Sequence, residues 1–204
     1  MFTLTPAAQN LILKWEGLNQ PGKWPGGNSG ITLGYGYDLA HHTREELIHD
    51  WNFCLNLNQL HRLIATVGLS GTDARDAAIG VADVKITREY AIRVFENSSV
   101  PKYWALAQKA FPGLTALPPD AQGALLSLVY NRGPSVDPTD DRRREMVAIR
   151  IAVQKIAAVP DLMNRLLQQI ADQLRSMKRL WKGKGLDGLI NRREDEARLV
   201  ESCI

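Results

Sequence analysis

Cysteine and long apolar runs are both scarce in this chain of 204 residues. Its two cysteines, Cys54 and Cys203, permit a single disulfide but cannot form the framework of a disulfide-rich domain. No run approaches the roughly 18 apolar residues that a transmembrane helix needs. Met1 leads into a helical pattern without the basic flank and apolar stretch of a signal peptide. We therefore expect synthesis in the cytoplasm, and delivery by another system to any target outside it.

The charges of the chain nearly balance, but the basic residues concentrate in its last third. Twenty-five lysines and arginines stand against 22 acidic residues, for a formal net charge of +3. This bias suits an anionic partner such as nucleic acid, anionic lipid or bacterial wall, and it equally suits a solvated helix face. No recognised nucleic-acid-binding motif accompanies the bias, so we expect no nucleic-acid partner. The basic positions are Arg142, Arg143, Arg144, Arg175, Lys178, Arg179, Lys182, Lys184, Arg192 and Arg193.

The spacing of apolar residues predicts a mostly helical chain without internal repeats. One helix should follow Thr5-Pro6, and another should begin at the capping box 43–46 and run into the 50s or 60s. Residues 31–38 instead alternate large apolar side chains with small or polar ones, which is typical of a strand. A helical body with one small β-element near its N-terminus is an α+β arrangement. Further helices are predicted near 73–80, 87–96, 100–110, 120–131, 142–158, 161–181 and 188–201.

Glu16 is the first candidate for a catalytic residue. It falls at the predicted end of the first helix, between Trp15 and the helix-terminating Gly17. The partial negative charge of a helix C-terminus and burial against apolar groups both favour a neutral carboxylic acid. Such an acid is what a glycosidase needs to protonate a leaving sugar oxygen. The alternative is a surface glutamate at the end of a helix.

The predicted strand supplies partners for such an acid. Thr32, Gly34, Gly36 and Asp38 fall on one face, which we expect to be open to a ligand because its middle residues are small. A hydroxyl and a carboxylate on that face could hold the water that attacks a sugar. A straight strand separates Thr32 from Asp38 by about 20 Å, at about 3.3 Å per residue. Both can serve one glycosidic bond only if the chain turns at a glycine; otherwise one of them is supporting structure.

The order of these residues resembles the active-site region of phage-type lysozymes, and most closely the pesticin-like branch. The resemblance is carried by Glu16-Gly17 and, after a glycine-rich segment, by the run GITLGYGYDL over residues 30–39. Two later segments agree with the family's core helix and closing helix: QGALLSLVYNRG over 122–133 and GLINRREDEA over 188–197. Each segment alone is weakly specific, but all of them occur in the family's order.

The resemblance implies a lysozyme-like fold and a muramidase activity. It implies one catalytic domain over residues 1–204, with a small β-containing lobe at about 17–40 and a helical lobe at about 43–204. The reaction would be hydrolysis of the β-1,4 bond between N-acetylmuramic acid and N-acetylglucosamine. The catalytic residues would be Glu16 as general acid, with Thr32 and Asp38.

The resemblance also implies which partners the chain has. The substrate would be the glycan strands of peptidoglycan, attacked by a monomer without metal or cofactor. An antibacterial effector or toxin and a phage endolysin share this pattern, and a toxin would meet an immunity protein or a component of a secretion apparatus. One feature departs from the family: many phage-type lysozymes carry an aspartate or cysteine in the loop before the threonine. Here residues 23–29 read KWPGGNS, with no acid.

Four further residues are candidates for substrate binding. The rings of Trp24, Tyr35 and Tyr37 could stack on sugars, since aromatic faces suit the apolar sides of sugar rings. Core packing is the alternative for the two tyrosines, whereas Trp24 is expected to be exposed in its glycine- and proline-rich loop. Asn131 could bind an N-acetyl group or cap its own helix. The pair His41-His42 does not match a zinc-binding pattern, so we expect no metal site there.

Two other functions are compatible with the same residues. A lytic transglycosylase cuts the same bond with a single acid/base glutamate and leaves a 1,6-anhydro product, which suits a chain with one securely placed carboxyl group. A catalytically silent module that binds cell wall would keep the fold without the chemistry.

Overall fold

The computed structural model describes residues 3–204 and is 67% helical, with one small two-stranded antiparallel sheet. This confirms the predicted α+β, mostly helical class. The chain divides into two compact units: a hairpin unit, Glu16–Pro101, and a helical unit, Met1–Trp15 with Lys102–Ile204. The β-element shares its unit with several helices. Every helix within residues 3–204 is too short or too polar to cross a membrane.

The hairpin unit packs short helices against a β-hairpin. Trp51 is its largest fully buried side chain, and Leu33, Leu39 and Phe95 share the core with it. A π-helical segment, Phe95–Ser99, follows the last helix that lies wholly within the unit. The elements are β1 (Thr32–Leu33), β2 (Tyr37–Asp38), α2 (Arg44–Trp51), α3 (Leu57–Ile64), α4 (Gly71–Ala77) and α5 (Arg88–Val94).

The segment after the hairpin contains two helices where the sequence analysis predicts one. Thr43 begins α2 with the predicted capping box, in which Glu46 bonds back to the threonine backbone. Asn56 then caps α3 in the same way, because its side chain accepts from the Gln59 amide and the Gln59 side chain accepts from the Asn56 amide. The first amides of a helix have no carbonyl acceptor within the helix, and the Asn56 side chain supplies one. A second helix therefore begins at Leu57, and residues 52–56 separate it from α2.

The helical unit surrounds one almost completely buried helix. In α7, the predicted core positions Ala121, Leu125, Leu128 and Val129 are all fully buried. Gly123 lets the first helix approach closely, because a Cβ at this position would overlap the Ala8 methyl group. The helices are α1 (Pro6–Glu16), whose last residue begins the hairpin unit, α6 (Val100–Ala110), which begins in the hairpin unit, α7 (Pro119–Arg132), α8 (Arg144–Ala158), α9 (Met163–Ser176) and α10 (Asp187–Glu201).

Charged side chains tie α10 to its neighbours in the helical unit. Arg193 and Glu196 are fully buried and bond to each other at 2.7 Å, and the hydroxyl of Ser127 on α7 donates to the same carboxylate oxygen at 2.6 Å. Nearer the surface, hydrogen bonds from Lys178 and Arg175 lower the pKa of Glu194 to about 2. A buried carboxylate is stable only when such partners compensate its lost hydration.

Candidate active site

Glu16 is the last residue of α1, as predicted, and its side chain is partly buried. The helix ends there because Gly17 adopts a left-handed backbone, with φ of +67°. Glycine takes this conformation without the steric cost that a side chain would add. Glu16 thus lies at the point where the chain leaves the helix.

Asn19 connects the end of α1 to the tip of the hairpin. Its backbone forms a two-way bridge with Gly34, with N–O distances of 2.7 and 3.0 Å. Its side-chain amide donates to the carbonyls of Glu16, Gly17 and Gly34 at 3.2–3.3 Å. Three carbonyls from two segments therefore share one amide group, which holds the backbone of Glu16 near the turn. The sequence analysis missed this residue, and a side-chain amide two positions after a helix-ending glycine is the signal that could have found it.

The run 30–39 forms a tight hairpin, which brings Thr32 and Asp38 together. They are directly opposite each other in the antiparallel register, and Leu33 lies opposite Tyr37. Opposed residues in such a pair have Cα atoms about 4.5–5.5 Å apart and side chains on one face. The chain turns where the glycine geometry requires it, since Gly34 and Gly36 both have positive φ, +54° and +74°. The 20 Å separation of a straight strand does not apply.

The prediction that one face of this segment is open is wrong. Thr32 is only 5% exposed, and Gly34 is buried as well. A Cβ at Gly34 would lie 3.0 Å from the Ala91 methyl group and 3.1 Å from the Trp51 ring. Trp51 of α2 and Ala91 of α5 thus cover the hairpin at Gly34, on the side that a single-layer strand would leave to solvent. Gly36 and Asp38 remain partly exposed.

The carboxylate of Asp38 is held by backbone amides. The Gly30 amide donates to both of its oxygens, at 3.0 and 3.2 Å, and the Ala40 amide donates to one of them at 2.9 Å. Asp38 thereby caps the short 3-10 helix Leu39–His41. Gly30 must be glycine for this contact, since a Cβ there would collide with the carboxylate. These bonds give Asp38 a structural role in closing the hairpin.

Thr32 carries a hydroxyl group with bonding capacity to spare. Its Oγ1 donates to the Gly30 carbonyl at 3.4 Å, which is long for a hydrogen bond between oxygens. A hydroxyl offers one donor and two acceptor sites, and no hydrogen bond within residues 3–204 uses the acceptor sites of this group. Of the two predicted partners of Glu16, the Thr32 hydroxyl therefore makes fewer and longer hydrogen bonds than the Asp38 carboxylate.

Both predicted tyrosines belong to the core of the hairpin unit. Tyr35 is 7% exposed and Tyr37 only 1%, so core packing describes both rings. The Tyr37 ring stacks on His42 with centroids 3.7 Å apart, and its hydroxyl donates to Asp50 at 2.8 Å. Burial and then the Asp50 carboxylate raise the pKa of Tyr37 far above its usual range. Neither ring offers an open face for a sugar to stack on.

The carboxylate of Asp50 contacts three polar side chains, one of which is Tyr37. Ser98, from the π-helical segment, donates to it at 2.6 Å, and His49 lies 2.9 Å from the same oxygen. Burial by itself raises the pKa of Asp50, but the bonds from Ser98, His49 and Tyr37 outweigh it and lower the pKa below its usual value. The sequence analysis missed this cluster of Asp50, Ser98 and His49. The Tyr37 hydroxyl is held by its bond to Asp50.

The two remaining predicted binding residues lie in different units. Trp24 is partly exposed in its loop, where its indole N–H donates to the Ser29 carbonyl at 2.8 Å. This bond fixes the ring within the hairpin unit. Asn131 belongs to the helical unit and is the second-last residue of α7, whose C-cap is Gly133 with its amide bonded to the Val129 carbonyl at 2.8 Å. The cap of that helix is therefore the glycine rather than the asparagine.

Comparison with known proteins gives one finding for the hairpin unit. A family model described as a domain of unknown function (DUF8812) matches residues 20–104. The match contains Thr32 and Asp38 and begins after Glu16. No curated protein matches the chain. The matched range covers most of the hairpin unit, and its description assigns no chemistry.

Proposed function

We propose that this chain is a muramidase with a lysozyme-like fold that cleaves peptidoglycan between N-acetylmuramic acid and N-acetylglucosamine. One observation carries the proposal: a glycine-turned hairpin pairs Thr32 with Asp38, and Asn19 joins that hairpin to the helix end bearing Glu16. Thr32 and Asp38 can serve one glycosidic bond only if the chain turns at a glycine between them, and this hairpin makes that turn. The ordered motifs shared with phage-type lysozymes support the proposal independently.

Glu16 carries the proton transfers in this mechanism. Its carboxyl group donates a proton to the glycosidic oxygen as the bond to the anomeric carbon breaks, leaving an oxocarbenium-like sugar. A water molecule then adds to the anomeric carbon, and the Glu16 carboxylate takes back the proton that the water loses. Thr32 orients that water through its hydroxyl oxygen. Asp38 acts as a positioning residue, because its bonds to the amides of Gly30 and Ala40 hold the strand that carries Thr32.

A lytic transglycosylase is the second candidate, favoured by the scarcity of carboxyl groups. Residues 17–37 contain no aspartate or glutamate, and Asp38 is engaged with backbone amides. Glu16 would then accept its proton from the C6 hydroxyl of N-acetylmuramic acid, and that oxygen would close the 1,6-anhydro ring. The two reactions differ in whether water or the C6 hydroxyl group attacks the anomeric carbon.

The place of action in either case is the bacterial cell wall. An antibacterial effector or toxin, or a phage endolysin, would use this reaction to break the glycan strands. A toxin of this kind requires an immunity protein in the producing cell, and the partly buried Glu16 is the group that such a protein would cover. No metal or cofactor enters the proposed mechanism.

Release of soluble muropeptides from purified sacculi tests the proposal. Glu16→Gln keeps the size of the side chain but cannot donate the proton, so we expect a loss of 100-fold or more, the usual range for a general acid. Glu45→Gln, at an exposed position on α2 of the same unit, is the matched control and should keep full activity. Near-wild-type activity of Glu16→Gln would show that the acid is misassigned.

Mass spectrometry of the released fragments separates the candidates. Reducing ends identify a hydrolase, whereas 1,6-anhydro ends identify a transglycosylase. Binding to sacculi without any fragment release would instead identify a module that only binds cell wall.

A further inference from the structure

A pocket of about 270 Å³ lies in the helical unit at the C-terminal end of α7. It contains three arginines from two segments, and one face is the ring of Trp181. The residues that line it include Asn131, Arg132, Asp140, Arg142, Arg143 and Trp181. None of them takes part in the proposed bond cleavage, although Asn131 is also a candidate for binding an N-acetyl group of the substrate.

Backbone carbonyls hold two of these arginines in place. Arg143 donates from Nη1 to the carbonyl of Arg132 at 2.8 Å, and Arg132 donates from Nη2 to the carbonyl of Arg142 at 2.5 Å. These two hydrogen bonds thus connect the end of α7 to the segment before α8. Carbonyls are neutral, so these bonds orient the arginines without cancelling their charge.

Carboxylates do little to balance the charge of this pocket. Among the described residues that line it, Asp140 alone is acidic. Its Oδ2 lies 4.0 Å from Nε of Arg143, and its Oδ1 accepts from the backbone amide of Arg142 at 2.8 Å. Within the lining, three guanidinium groups therefore face one carboxylate, an excess of two positive charges. Arg193 and Glu145 also act on Arg132 from outside the lining, and their effects on its pKa are opposite.

Other cations of the same unit are balanced in a different way. Arg175 bonds to Glu194 and Glu201, and Arg179 bonds to Asp141 and Glu145. Each of those guanidinium groups meets two carboxylates. The cluster at the end of α7 differs from these two arginines in having one carboxylate for three guanidinium groups.

Arg132 is a partly buried member of the cluster. It lies over the Trp181 ring, with its guanidinium carbon 5.1 Å from the centroid, and its Nε is buried without a hydrogen-bond partner among the described residues. Burial, followed by the charges of the neighbouring arginines, lowers the pKa of Arg132 to about 10. An anion in the pocket would relieve both the repulsion and the unmet hydrogen bonding.

We propose that this pocket binds a phosphate dianion through Arg132, Arg142 and Arg143. The excess of two positive charges matches the charge of the ligand, and planar guanidinium groups bind phosphate oxygens in pairs. Asn131 adds a side-chain amide at the rim. This inference is independent of the muramidase proposal, since it uses other residues and other chemistry.

Calorimetric titration with inorganic phosphate at constant ionic strength tests the site. Arg142→Gln removes a guanidinium group that makes neither of the two carbonyl bonds, and we expect about tenfold weaker binding or worse from the loss of charge-assisted bonds. Arg165→Gln removes an exposed positive charge from α9 and should leave the affinity unchanged. Asp140→Asn keeps an acceptor for the Arg142 amide but removes the opposing charge, so binding should tighten several-fold. A gain of affinity cannot result from misfolding.

Three results would overturn the inference. The first is that inorganic phosphate shows no saturable binding to the wild-type protein. The second is that Arg142→Gln and Arg165→Gln weaken phosphate binding equally, and the third is that acetate binds as tightly as phosphate. Glycerol 3-phosphate serves as a second ligand: its binding alongside inorganic phosphate supports a pocket that takes a terminal phosphomonoester. Binding of inorganic phosphate alone supports a site for the free ion.

Discussion

Replacing Asp38 by asparagine separates a structural role from a chemical one. Asparagine keeps a carbonyl oxygen where Oδ1 now accepts from the amides of Gly30 and Ala40, at 3.0 and 2.9 Å. It loses the negative charge and the weaker 3.2 Å contact between the Gly30 amide and Oδ2. The hairpin can therefore close almost as before, but any reaction that needs a carboxylate at this position fails.

The expected cost in stability follows from these bonds. A hydrogen bond to a charged group contributes about 1.5–3 kcal/mol and a neutral one about 0.5–1.5 kcal/mol. Two bonds that change from charged to neutral should thus lower the free energy of unfolding by about 1–2 kcal/mol. At about 2–4 °C per kcal/mol for a chain of this size, the melting temperature should fall by about 2–8 °C. Asp38→Ala leaves both amides without an acceptor and should cost about 3 kcal/mol or more.

Activity on sacculi decides between the roles, measured well below the melting temperature of each variant. If Asp38 only positions the strand, Asp38→Asn should keep activity within about threefold of wild type, and Asp38→Ala should lose activity together with stability. A general base or nucleophile at this position would instead cost about 100-fold or more in the asparagine variant. A well-folded Asp38→Asn protein with such a loss would refute our assignment and make Asp38 a catalytic residue.

Two further predictions concern the helical unit. Gly123→Ala should destabilise it by about 1–2 kcal/mol, because overlap with the Ala8 methyl group outweighs the gain of about 1 kcal/mol in helix propensity. Gly188→Ala on α10 meets nothing closer than 4.0 Å and should be neutral or slightly stabilising in thermal melts; equal losses would contradict the packing argument. The depressed pKa of Glu194 contributes stability above its ordinary value of 4.5, and that stability is lost as the pH falls towards about 2. In urea titrations, Glu194→Gln should therefore cost about 1 kcal/mol at pH 7 and almost nothing near pH 2, whereas a constant difference would exclude this ion-pair network as its source.

Helix positions were largely predictable because they depend on local signals. The core spacing of Ala121, Leu125 and Leu128 records burial directly, and the capping box at Thr43 marks a helix start by its own hydrogen bonds. The division at residues 52–56 was missed, although the pair Asn56 and Gln59 is a capping signal of the same kind. Asparagine is less specific there than threonine followed by glutamate, since it also occurs in turns.

The burial of the hairpin could not be predicted from its own residues. Alternation over 31–38 describes a strand with one covered face, and nothing within those eight residues tells whether a second layer covers the other. The covering groups, Trp51 and Ala91, lie about 20 and 60 residues further along the chain. Their positions depend on how α2 and α5 fold back, which is tertiary information. The predicted open face and the sugar-stacking roles of Tyr35 and Tyr37 both rested on that missing layer.

The glycines explain why the turns of this segment were nevertheless predictable in outline. Gly17, Gly34 and Gly36 stand where the backbone must adopt positive φ, and a change of direction is needed at each of these places if Glu16, Thr32 and Asp38 are to act together. Their spacing therefore encodes the turns before any packing is known. The partners of a carboxylate are encoded less directly, because a backbone amide that will bond to Asp38 looks like any other amide in the sequence. For this reason sequence reasoning can suggest which groups meet at the hairpin, whereas the bonds that hold the Asp38 carboxylate are known only from the structure.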